Sequence, residues 1–147
     1  MRKLQYNAPV ILTFVLLSAA ALLLDMLTGG ITNQTLFSVY RASWLDPLTY
    51  VRLFLHVLGH SSFQHFSGNM LMILILGPMV EERYGSRDTL ILIAVTALTT
   101  GLIHCIFSPG FALLGASGVV FMLIFLASLA GMRQNRIPLT LILVALV

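Results

Sequence analysis

The sequence predicts an all-α protein that crosses a membrane several times, and three observations carry that prediction. Hydrophobic residues make up 59% of the 147 and charged residues only 9%, against roughly 45–50% and about 25% in soluble domains. A mean hydropathy of +0.99 leaves too little polar surface to clothe a water-soluble globule. The apolar residues gather into four runs near spanning length, and a fifth begins. These runs are apolar on both faces and lack the period-2 alternation of barrel strands, so they read as helices.

The first run, Ala8–Leu27, follows Arg2 and Lys3, an arrangement that also opens a secretory leader. Its apolar stretch exceeds the roughly 7–15 residues of a leader's central region, and further runs follow, so it is expected to remain as a first span. The next three expected spans are His65–Val80, Thr89–Phe107 and Ser117–Gly131. The last run, Ile137–Val147, would rise only about 16 Å as a helix, roughly half of a hydrocarbon core. The expectation is therefore about four complete spans plus part of a fifth, in one membrane domain over residues 1–147 that is incomplete at its C-terminus. Internal repeats, low-complexity tracts and domain linkers are not evident.

The connecting segments orient the chain. Arg2, Lys3, Arg83, Arg87, Arg133 and Arg136 fall on one side, and only Arg41 and Arg52 on the other. Positive charge collects on the cytoplasmic side, so the N-terminus is expected there. The same scatter in short clusters explains the net charge of +3 without a nucleic-acid partner. Between the first two spans lie about 30 residues rich in Phe37, Tyr40, Trp44, Tyr50 and Phe54, and a segment of that length is usually functional. Such aromatics suit the lipid–water interface, so this segment is expected to lie partly embedded on the outer side. Cys105 has no cysteine partner and reads as a packed, inert thiol.

Polar groups within apolar spans are costly and therefore informative. Gly115-Ala116-Ser117-Gly118 opens the fourth span, and His60 to Asn69 leads into the second. Ser117 lies 16 residues before Arg133 and His65 lies 16 before Glu81, about 24 Å along a helix in each case. The two side chains should sit at similar depth, with Asn69 one turn deeper than His65 on the same face. A hydroxyl, an imidazole and an amide can thus converge. Acyl transfer needs such a set: a hydroxyl to attack a peptide carbonyl and donors to meet the oxyanion. Ser117 also opens a helix, where unpaired N–H groups and the positive dipole end point. Gly115 and Gly118 would let a substrate backbone approach.

Plainer readings stand beside this one. Gly and Ser in membrane helices often serve packing, and Val119 departs from the G-x-S-x-G elbow of soluble hydrolases. His65 and Asn69 alone could be an interhelical hydrogen-bonding pair. His56, His60 and His65 could hold a metal, but no carboxylate or thiol lies nearby in sequence. His104 reads as an interfacial residue ending the third span.

Taken together, His60-x4-His65-x3-Asn69 before one span and Gly115-x-Ser117-Gly118 at the span after next resemble the rhomboid family. The resemblance extends to Arg52 and to Glu81-Glu82-Arg83-Tyr84-Gly85-Ser86, and it covers roughly residues 8–147. It implies a rhomboid-like helical bundle in a bacterial-type plasma membrane. It also implies a serine endopeptidase that cuts transmembrane protein substrates in or near their membrane segments, with no cofactor and no metal. Ser117 would be the nucleophile, His65 and Asn69 with the Ser117 N–H the oxyanion hole, His60 and Glu81 structural, and Arg52 a loop anchor. Two departures are visible: Val51 stands where the family usually has Trp before the arginine, and no histidine follows Ser117 to serve as base. The base of the Ser–His dyad is accordingly expected on a span absent from this chain, and the fragment alone is expected to be inactive. A proteolytically inactive relative that binds membrane clients, and a small polytopic transporter subunit, are the alternatives.

Overall fold

The computed structural model describes residues 6–108 and 110–130. Its helices are α1 Pro9–Leu27, α2 Ile31–Thr35, α3 Pro47–Leu55, α4 Phe63–Tyr84, α5 Ser86–Phe107 and α6 Ser117–Ala130. No strand occurs among the described residues, only an isolated bridge between Val39 and Leu113. Helices α1, α4 and α5 are long and apolar enough to cross a membrane. Helix α6 begins at Ser117 as expected, whereas Gly131, Arg133, Arg136 and the run Ile137–Val147 lie outside the described residues.

Helix α4 is the hub, packing against α1, α5 and α6. Ile11 and Phe14 from α1, Met70, Ile73 and Val80 from α4, Ile93 and Ala97 from α5, and Val119 and Leu123 from α6 form one buried cluster. The outward faces are equally apolar: Leu16, Leu23, Ile75, Leu90 and Phe121 are all exposed. A bundle that is apolar inside and out is stable only where lipid solvates the outer surface.

Two spans run longer than their apolar stretches. Helix α4 starts at Phe63, with the Ser62 hydroxyl accepting from the His65 N–H, and continues past Val80 to Tyr84. Helix α5 begins at Ser86, three residues before Thr89, after the single joint residue Gly85. Hydropathy marks the part of a helix in lipid and misses its polar ends. Glu81 shows why a carboxylate belongs there. Helix α1 has no side-chain cap of its own, and the buried Glu81 carboxylate accepts from the N–H groups of Val10 and Ile11, at 3.0 Å each, and from the Ser86 hydroxyl at 2.7 Å. First-turn N–H groups otherwise have no partner, and the positive helix end favours an anion.

The segment between α1 and α4 is structured. Asp46 caps α3 by accepting from the Leu48 N–H, and Pro47 fits the first helical position. Arg52 is buried beneath the segment: its Nε donates to the Thr35 carbonyl, its guanidinium pairs with Asp46 at 3.4 Å and lies over the Tyr40 ring. Paired N–H···O bonds between Val39 and Leu113 then tie this segment to the α5–α6 connection. Cys105 is buried with Val39 and Leu53, the packed position expected of it.

Candidate active site

The site forms where the connection into α4 meets the start of α6. The Ser117 hydroxyl lies 3.4 Å from Asn69 Oδ1 and donates to it. Asn69 Nδ2 lies 3.1 Å from His60 Nε2, and His60 Nδ1 lies 3.0 Å from the Leu58 carbonyl. A carbonyl only accepts, so His60 Nδ1 carries the ring proton and Nε2 must accept from the Asn69 amide. The direction of every bond follows: Ser117 O–H to Asn69, Asn69 N–H to His60, His60 N–H to Leu58.

His65 stands beside this chain of bonds. Its Nδ1 lies 3.2 Å from the Ser61 hydroxyl, and its ring meets His60 edge-on at 5.1 Å. Gly115 separates His65 from Ser117. A Cβ at Gly115 would lie 2.8 Å from His65 Nε2 and 3.8 Å from Ser117 Oγ, so those two atoms are no further apart than the sum of the two distances. Only glycine fits here, because a side chain would collide with the imidazole and φ is +124°. The Gly115 N–H donates to the His56 carbonyl at 2.9 Å, pinning the approach to Ser117.

The structure therefore brings Ser117, His65 and Asn69 together. Gly118 does not join them: a Cβ there would meet the Thr100 methyl at 3.1 Å. It faces α5 and serves helix packing, which corrects the expectation that it admits a substrate backbone. His104 ends α5 and holds the following turn through Nε2 and the Phe111 carbonyl at 2.9 Å. Among the described residues, no group of three His, Cys, Asp or Glu side chains is placed to hold a metal ion.

Two contributors, Asp25 and Asn33, escaped the sequence reading, and a third, His56, was read only as a possible metal ligand. His56 is buried, with Nδ1 against the Arg52 carbonyl and Nε2 against the Thr100 hydroxyl, so it braces α3 on α5 beneath the site. Asn33, which donates to the Asp25 carboxylate, also donates to the His60 carbonyl from the far end of the same segment. Asp25 left one signal, an acid inside an apolar run.

Burial sets the protonation of His60. Desolvation is the largest cause lowering it from the ordinary 6.5 to about 4; its bond to Leu58 opposes that shift and His65 adds to it. His56 is lowered as well, again first by desolvation. A neutral imidazole in the folded state and a titrating one in the unfolded chain fix the sign: stability is full above pH 6.5 and falls as pH drops toward 4. Protonated His60 would also turn a second donor toward the Asn69 amide. The thermal unfolding temperature of the protein in detergent is expected to fall across that window. His60→Gln should flatten the slope in part, because His56 contributes with the same sign; an unchanged slope would contradict the assignment.

Residues 47–147, more than half of the chain, match the family model described as the Rhomboid domain. The chain is 33% identical over 123 residues to the protein named Rhomboid protease GlpG from Enterobacter sp. (strain 638), covering 82% of this chain and 44% of that protein. It is 34% identical over 121 residues to the protein of that name from Salmonella choleraesuis (strain SC-B67), covering 80% and 43%. The chain thus spans less than half the length of these relatives.

Proposed function

Since this chain belongs to the Rhomboid family and is an integral membrane protein, we propose that it is the serine-bearing part of an intramembrane endopeptidase that cleaves transmembrane protein substrates in or near their membrane segments. The observation that carries the reading is the Ser117 hydroxyl at the head of α6, bonded to Asn69 and facing His65 across Gly115.

In this reading Ser117 Oγ attacks the scissile carbonyl carbon. The Oγ–C bond forms, and the hydroxyl proton passes to a base. The negative charge moves to the carbonyl oxygen, where the Ser117 N–H, the second Asn69 N–H and the His65 ring receive it. Collapse of the intermediate breaks the C–N bond, and the leaving amine takes the proton. Water then hydrolyses the acyl-serine. Asn69 cannot be the base, since a carboxamide oxygen is not basic at neutral pH. His60 is excluded by its use of Nε2 as the acceptor of the Asn69 amide. His65 is assigned to the oxyanion, and family resemblance assigns the base of the Ser–His dyad to a histidine later in the protein than Ser117; this sequence has none there. Chemistry of this kind draws on no metal or cofactor.

The excess of Lys and Arg on one side supports a cytoplasmic N-terminus, and the relatives support a bacterial-type plasma membrane. A serine-directed fluorophosphonate tests the central assignment on the full-length protein in detergent. One covalent adduct per chain is expected. A relative that only binds clients, or a transporter subunit, would form none.

A further inference from the structure

We propose that Asn33, held by Asp25, is a positioning residue for the site: it fixes the main chain of His60 and thereby aims that imidazole at Asn69.

The two hydrogens of the Asn33 amide are both committed. One goes to Asp25 Oδ2 at 2.8 Å, the other to the His60 carbonyl at 2.9 Å. Asp25 Oδ1 accepts the Asn33 backbone N–H, also at 2.8 Å. Flipping the amide would set its oxygen against a carboxylate and a carbonyl, so its orientation is fixed. The contact has no slack. A Cβ at Gly59 would collide with the Phe37 carbonyl and lie 3.1 Å from Asn33 Oδ1. The 59–60 backbone is pressed onto the 33–37 segment and bonded there.

Two locally unfavourable features converge on this contact. Asn33 Oδ1 is buried without a hydrogen-bond partner, which destabilises a fold. Asp25 sits in the last turn of α1, the end that repels an anion. A loop that needed only to be packed could carry apolar residues at both positions. The shared beneficiary is the His60 carbonyl, and sites that break local rules in this way are commonly functional. From His60 the route to chemistry is short: its Nε2 holds the Asn69 amide, whose oxygen holds the Ser117 hydroxyl. Asn33 touches no reacting atom and acts through His60.

The inference rests on the proteolytic reading for its catalytic consequence, but the tie to His60 does not. Full-length protein labelled with ¹⁵N-histidine, in detergent, reads both. The first readout is the titration of His60 Nε2. The second is the rate at which a fluorophosphonate captures Ser117, with thermal unfolding as a fold control. Asn33→Ala and Asp25→Asn are expected to slow capture by roughly tenfold or more, as small misplacements near reacting groups do. They should also move the His60 titration upward as the ring gains solvent; of the neighbouring titratable groups, His65 is the one that faces it. Thr32→Val removes another Asp25 contact, at 3.3 Å, without touching Asn33, and should change neither readout. Asp25→Asn keeps an oxygen for the Asn33 N–H and carries the test if Asn33→Ala does not fold. Folded variants with wild-type capture and an unmoved titration would overturn the proposal. Absence of capture in the wild type would instead overturn the protease reading, leaving the titration to decide the tie.

Discussion

Full-length protein carrying Ser117→Ala is expected to bind a transmembrane substrate and leave it uncut. The change removes one oxygen from an exposed position at the head of α6. The core residues Val119 and Leu123 behind it are untouched, and alanine is a good helix former. Stability should therefore stay close to wild type while cleavage of a labelled single-span substrate in liposomes falls to background. Neighbouring groups cannot replace the hydroxyl. The remaining nucleophile candidates near it, Ser61 and Ser62, lie on the other side of His65, where Ser62 caps α4 and Ser61 bonds the His65 ring. Residual cleavage by Ser117→Ala would mean that another group attacks, and the nucleophile assignment would have to be given up.

Asn69→Ala is expected to lower kcat by about 10²–10³, or roughly 2.7–4 kcal/mol, the usual worth of one donor to an oxyanion. Activity should remain measurable, because the Ser117 N–H and His65 still face the developing charge. A second effect separates this residue from an ordinary donor. Removing the amide leaves His60 Nε2 buried without its partner, a loss of about 1–3 kcal/mol of stability. Lower kcat with lower thermal stability is the expected pair, measured by steady-state cleavage and by unfolding in detergent. Wild-type kcat would remove Asn69 from the oxyanion site. Unchanged stability would contradict the bond to His60.

The bundle was legible in the sequence because lipid imposes a one-dimensional rule. A helix must bring about 20 apolar residues to cross, and Pro9–Leu27 and Ser86–Phe107 obey it almost to their ends. The pairing of Ser117 with Asn69 was legible for a related reason: antiparallel and parallel spans share a depth axis, so counting residues from charged anchors ranks side chains by height. What counting does not supply is azimuth. Gly118 carries no side chain to bias its placement, and only the docking of α6 on α5 turns it toward Thr100 instead of the site. Helices α2 and α3 were hidden because short elements in a connecting segment leave no spanning signal, and α2 buries the polar Asn33 while exposing Ile31. The tie from Asp25 through Asn33 to His60 depends on how that segment folds back, which no local pattern records. Glu81 was legible as structural only through resemblance; its task as a cap supplied to α1 from another helix becomes visible only when Val10 and Ile11 are seen against it.

The most direct measurement of the central claim is the location of the fluorophosphonate adduct. Full-length protein in detergent, treated with the reagent and digested, is expected to show the phosphonyl mass on one peptide, at Ser117, and to lose it in Ser117→Ala. An adduct on Ser61, Ser62 or another residue, or none on folded wild-type protein, would contradict the account.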